Sequence, residues 1–331
     1  MSSILDSVTS AFGPDVLQSL GGALGADPSA VGKAMGVVGP LLLSGMSRAT
    51  AAPGGADALM KMLPQDHGLL GNLGGLLGGL LGGSSPTGAA ALLPSLFGGA
   101  TSAVAGTLSR SLGFNVAPLL TLAAPTLLAG VTKLVKEKGL DAAGLSATLK
   151  EQADAFMANG ANADAAKLVG SAFSAADAAK HTITGYGADW ATVMAGPAAA
   201  LAAVASADLS GPVGSIKEAQ AAAQTLEAAA RAAAPGSVLA TAFGAGLTTE
   251  MMQEVRKASP TREGLIALLK SSAAAVQARS PADAQAYKDT LMAVARATAE
   301  ASKDGGFLGI GGKLVSDDEQ KALDAIRTAL G

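Results

Sequence analysis

Apolar residues recur along this chain at intervals of three and four and almost nowhere in strict alternation, so the elements it predicts are helices. Ile4, Leu5, Val8 and Phe12 fall at helical spacing, Gly13-Pro14 interrupts them, and Val16, Leu17 and Leu20 begin a second helix. Asp27-Pro28 is a helix start, a capping carboxylate followed by proline at the first helical position. Trp190 opens a nearly uncharged stretch through Ala205 that holds Gly196-Pro197, which reads as one buried central helix or two short ones. Ser210-Gly211-Pro212 then opens a helix carrying Ile216 and Leu226, and Pro235-Gly236 closes it. Leu265, Leu269, Ala273 and Val276 line one face of the next helix. Ser280-Pro281 starts another, with the stripe Tyr287, Leu291 and Val294 continued by Thr298. Ser316 and Glu319 have the spacing of a capping box before a last helix that turns Leu323, Ile326 and Leu330 inward.

Composition sharpens this pattern into a fold class. Hydrophobic residues make up 49% of the chain but aromatics only 3%, so the apolar mass is Ala, Leu, Val and Met. Alanine has the best helix propensity and lets helix axes approach, whereas the residues strands favour are scarce. The expectation is an all-α protein.

Charge divides the chain. Between Asp66 and Lys133 the only formal charge is Arg110, and charges become denser beyond residue 150. With the turn chemistry of Asn159-Gly160-Ala161-Asn162, this predicts a first domain over 1–160 and an Ala-rich helical bundle over 161–331.

The first domain reads as a duplication. Gly39-Pro40-Leu41-Leu42-Leu43-Ser44-Gly45-Met46-Ser47-Arg48 is answered some 85 positions on by Ala124-Pro125-Thr126-Leu127-Leu128-Ala129-Gly130-Val131-Thr132-Lys133. Leu24-Gly25 is answered by Leu112-Gly113, and the stretch from Gly54 to Met60 by that from Gly139 to Leu145. Two helical copies, at about 1–66 and 88–150, flank a linker over 68–87.

That linker contains Gly68 to Gly83, GLLGNLGGLLGGLLGG, with no charge in it. Its glycines at every fourth position would bring small residues onto neighbouring strips of a helix, an arrangement that lets membrane helices touch. Against this, each glycine costs about 1 kcal/mol relative to alanine in a water-exposed helix, and the run is shorter than the roughly 20 residues that span a bilayer. As a linker, it offers Leu69, Leu70, Leu73, Leu76, Leu77, Leu80 and Leu81 as an apolar contact surface. In the membrane alternative, Ala89 to Leu108 would be the return leg of a hairpin.

The opening (Leu5, Gly13-Pro14, Leu17, Leu20, Gly21, Leu24-Gly25), the segment from Pro40 to Gly45 and the Gly/Leu linker together resemble the YidB-like bacterial family, domain of unknown function 937. The resemblance covers about the first 150 residues and implies a helical bacterial protein without an assigned activity; no catalytic residue comes with it. More faintly, the tail with Lys303 to Lys313 and the helix from Ser316 is similar to the closing helices of tellurite-resistance TerB-like domains, though without a full set of acidic metal ligands.

Candidate chemistry is sparse. The absence of cysteine removes disulfides, thiolate zinc sites and cysteine nucleophiles. The loop over 305–312 lacks the P-loop spacing, since the residue five before Gly312 is Phe307 and Leu314 follows Lys313; it reads as a turn docking Phe307, Leu308 and Ile310. His67 and His181 have no metal-ligand partner at helical spacing, and Glu250, Glu254, Arg256 and Lys257 read as a solvated face. Met251 and Met252 read as core or contact surface. A net charge of −3 without a basic stripe argues against nucleic acid.

These observations assign no catalytic, cofactor-binding or metal-binding residue and no cofactor. The expected function is that of a non-enzymatic structural or interaction protein that self-associates through apolar helix faces and the Gly/Leu segment. The alternative is a membrane-active protein that uses Gly68 to Leu108, and third comes an enzyme whose carboxylates only the fold would bring together. Asp6 early in an N-terminus without a basic region argues against a secretory signal, so the expected location is the cytoplasm, with membrane association under the alternative.

Overall fold

The computed structural model describes residues 4–5, 12–63, 89–206, 212–258, 261–301 and 315–331. Every regular element among them is helical, as the composition predicts. The chain forms two compact units, Met1–Asp177 and Ala178–Gly331.

The first unit contains α1 (Pro14–Leu24), α2 (Pro28–Ala51), α3 (Gly55–Met62), α4 (Ala89–Phe97), α5 (Thr101–Leu112), α6 (Ala117–Lys138) and α7 (Ala142–Ala158). A single 3-10 turn over Gly160–Asn162 then leads into α8 (Ala163–Tyr186), along which the boundary between the units falls. The caps form where the residues call for them. Asp27 accepts a hydrogen bond from the Ser29 amide at 2.8 Å, and Asp141 from the Gly144 amide at 2.7 Å, each satisfying an amide that the first helical turn leaves open.

α2 is the hub of this unit, packing on α1, α3, α4, α6 and α7. Its stretch from Val37 to Met46 is buried without interruption, and α6 is buried from Leu122 to Val131. A helix that is apolar on every side needs such complete cover. Each also carries a proline near its middle, Pro40 and Pro125. Leu24-Gly25 and Leu112-Gly113 each end a helix on a left-handed glycine, at φ 61° and 86°.

The second unit holds the rest of α8, then α9 (Asp189–Ala205), α10 (Pro212–Ala232), α11 (Val238–Phe243), α12 (Thr249–Ala258), α13 (Arg262–Arg279), α14 (Pro281–Ala301) and α15 (Asp317–Leu330). Its hub is α9, which touches α10 to α15. The stripes read from the sequence are its core: Leu265, Leu269, Ala273 and Val276 on α13, Tyr287, Leu291, Val294 and Thr298 on α14, and Leu323, Ile326 and Leu330 on α15 are all buried. The capping box of α15 is complete, with Ser316 Oγ accepting from the Glu319 amide and the Glu319 carboxylate accepting from the Ser316 amide.

Gly196-Pro197 resolves the choice left open by the sequence, because α9 continues through it as one helix. Proline has no N–H to give the carbonyl four residues back, and in a helix interior it costs about 3 kcal/mol. That carbonyl belongs to Val193, which is buried, and the hydroxyl of Tyr287 on α14 donates to it at 2.7 Å. Gly196 leaves the space this requires: a Cβ there would fall on the Tyr287 hydroxyl. A side chain ninety-four positions away thus replaces the donor that proline removes.

Candidate interaction surface

The seven leucines marked as a contact surface, Leu69, Leu70, Leu73, Leu76, Leu77, Leu80 and Leu81, lie outside the described residues, as do His67 and the loop over 305–312. What the structure describes are the two ends they join. Leu63 after α3 and Leu92 and Leu93 on α4 are buried. The proposed return leg, Ala89 to Leu108, is not one helix. Gly98 and Gly99, both at positive φ (60° and 81°), separate α4 from α5, and Phe97, Val104 and Leu108 point into the first unit.

Most large apolar side chains of the described residues are buried or partly buried. Among the described residues only Met157 and Ile216 stand out as large exposed hydrophobics, at 43% and 61% exposure. They are on different units.

One surface cluster in the first unit joins aromatic and charged groups. The Arg48 guanidinium lies 4.5 Å from the ring centroid of Phe173, Phe97 approaches the same ring at 6.2 Å, and Arg48 Nη2 reaches Asp177 Oδ2 at 3.3 Å. With about half of both charged side chains exposed, solvent screens the pair, and its role is to dock α8 on α2 and α4.

Other charged side chains form ion pairs as well. Lys257 Nζ donates to Glu254 at 2.6 Å, Lys321 to Asp318 at 2.7 Å and Arg279 to Asp189 at 2.6 Å. Asp318 sits below the ordinary carboxylate range because Lys321 donates to it. His181 is exposed, Met251 is core and Met252 packs partly buried against it. No group of three His, Cys, Asp or Glu side chains able to hold a metal occurs among the described residues. Burial pushes the hydroxyls of Tyr186 and Tyr287 above their ordinary range, Tyr287 the further, so both stay protonated at neutral pH. Tyr287 is occupied with the Val193 carbonyl.

Among the described residues two helices have the dimensions of membrane spans, and both lie outside the Gly68 to Leu108 segment weighed in the sequence. α2 and α6 are long and apolar enough to cross a bilayer. The sequence signal for them was present in the uncharged runs from Ala34 to Ser47 and from Ser111 to Thr132.

Residues 6–134 match the model of a family described as bacterial protein of unknown function (DUF937). The match falls in the first unit and covers the opening from Gly13-Pro14 to Leu24-Gly25, the segment from Pro40 to Gly45 and the linker, all but Leu5 of the features that carry the resemblance in the sequence. No curated protein matches the chain, and no solved structure does.

Proposed function

We propose that this is a non-enzymatic structural or interaction protein of the bacterial cytoplasm that self-associates, with the leucines between Gly68 and Gly83 as its contact surface. The observation that carries the reading is that, among the described residues, almost all large apolar side chains are buried or partly buried. The described helices turn theirs inward, and the uncharged leucine run is the longest apolar stretch of the sequence that lies outside them. Such a segment is seldom left bare in water. The described carboxylates discussed above cap helices or pair with neighbouring bases, and a cysteine-free chain suits a reducing compartment.

The paired landmarks of the first unit support a duplicated origin for it: helix, left-handed glycine, then a long helix with an interior proline, in α1–α2 and again in α5–α6. A unit built from two like halves joined by an apolar connection offers that connection to a second copy without disturbing either half.

The test is the mass of the full chain in detergent-free buffer, by sedimentation, beside a variant in which the seven leucines are serine. A discrete multiple of 32.0 kDa that falls to the monomer in the variant is the expected result. A monomeric intact chain, or an oligomer unchanged by the substitutions, contradicts the reading.

A further inference from the structure

We propose that the first unit has a second state, embedded in lipid, in which α2 and α6 leave its core for a bilayer. This goes beyond self-association and uses other residues.

The dimensions come first. α2 has 24 residues and α6 has 22, giving lengths of about 36 and 33 Å against a hydrocarbon core of about 30 Å. Charges sit towards the ends: Lys33 and Arg48 on α2, and Lys133, Lys136, Glu137 and Lys138 on α6. Long basic side chains in those positions can carry their charge to the headgroups while their methylenes stay in the apolar layer.

Polar attachments are the second observation. Any side-chain hydrogen bond from a helix to its neighbours would have to break for the helix to leave. Along Ala34–Met46 and Pro118–Val131 no side chain bonds to another element. The α6 threonines return their hydroxyls to their own helix: Thr121 donates to the Ala117 carbonyl at 3.1 Å, Thr126 to Leu122 at 3.2 Å and Thr132 to Leu128 at 2.9 Å. Ser44 on α2 is buried with its hydroxyl unpartnered, so its bundle site gives it nothing that lipid would take away. The polar ties of α2 come at its end, where Arg48 meets Asp177 and the Thr50 carbonyl accepts from Ser146 at 3.4 Å.

These two helices are therefore held in the bundle by exclusion from water. A lipid interior is as apolar as the leucines that cover them, so that drive vanishes at a bilayer. Pro40 and Pro125, costly in a water-soluble helix, are tolerated in membrane spans. α9 supplies the contrast. It is more apolar still, but its own 17 residues fall short of the roughly 20 needed, so that it reaches span length only together with the preceding helix across a bend of 102°, and Tyr287 bonds it to α14.

The unmodified chain carries its own test, because trypsin sites bracket each region. The protein is incubated with vesicles of phosphatidylcholine and phosphatidylglycerol, washed in alkaline carbonate, which opens the vesicles into sheets, and then digested, and the peptides retained by the lipid are identified by mass. The inference expects Ala34–Arg48 and Ser111–Lys133. Retention of Met62–Arg110 alone, which holds the Gly/Leu run, or retention of no peptide, overturns it. A second measurement uses the Thr50→Cys/Ser146→Cys pair, which joins α2 to α7 when oxidised. Flotation with vesicles should be lost on oxidation and regained on reduction, and flotation that ignores the disulfide overturns the proposal. The mass of the protein without lipid is unaffected by either result, so this inference and the self-association reading fail separately.

Discussion

The substitution of Tyr287 by phenylalanine removes one oxygen and leaves the carbonyl of Val193 without its donor. Pro197 cannot supply one, and Val193 is fully buried, so water cannot reach it without opening the core. A buried acceptor left unsatisfied costs about 1–3 kcal/mol. Gly196→Ala attacks the same contact from the other side. Its Cβ would fall on the Tyr287 hydroxyl and lie 3.0 Å from Ser272 Oγ and 3.2 Å from Leu291 Cδ2, an overpacking worth about 1–3 kcal/mol, partly offset by alanine's advantage in a helix. The two changes should not add. With phenylalanine at 287 the obstructing oxygen is gone, so Gly196→Ala should cost less there by about 1 kcal/mol or more. Pro197→Ala, which restores an N–H opposite Val193, should likewise soften Tyr287→Phe. The assay is urea unfolding followed by the chain's one tryptophan, Trp190, which lies on α9 and stacks edge-on to Tyr186 at 5.6 Å, so its fluorescence reports the second unit. Additivity within about 0.3–0.5 kcal/mol would refute the reasoning, because independent sites behave that way.

Two further outcomes follow from the same unit. Tyr186 and Tyr287 have folded pKa values raised above the ordinary 10.0, so the unfolded chain loses their protons first as pH rises. Stability is unaffected by these groups below that value and declines above it, and Tyr287→Phe should flatten the decline in urea melts taken through the alkaline range; an unchanged slope would remove burial as its cause. Ser316→Ala breaks the capping box of α15 and should cost about 1 kcal/mol in the same unfolding assay, with no change expected only if α15 unfolds apart from the core that Trp190 reports.

Local chemistry was readable from the sequence because its causes are local. Asp27-Pro28, the Ser316 and Glu319 pair and the Tyr287 stripe act within one or two helical turns, and each appears in the structure where the spacing places it. Gly196-Pro197 was ambiguous for the opposite reason. Whether proline breaks that helix depends on a hydroxyl from α14, and no window of sequence around 197 contains it. The same limit hid the split between α4 and α5, where an apolar run from Ala89 to Leu108 turns at two glycines to wrap the unit. The Gly/Leu run is the most conspicuous uncharged segment of the sequence, while the helices of membrane length among the described residues are α2 and α6, whose hydrophobicity is diluted by glycine, alanine and threonine.

The central claim is that the leucines between Gly68 and Gly83 are a protein contact, and sedimentation of the full chain beside its seven-serine variant tests it most directly. The claim expects a discrete oligomer of the 32.0 kDa chain that becomes a folded monomer when the leucines are removed. Two species of the same mass, whether both monomers or both oligomers, would contradict it.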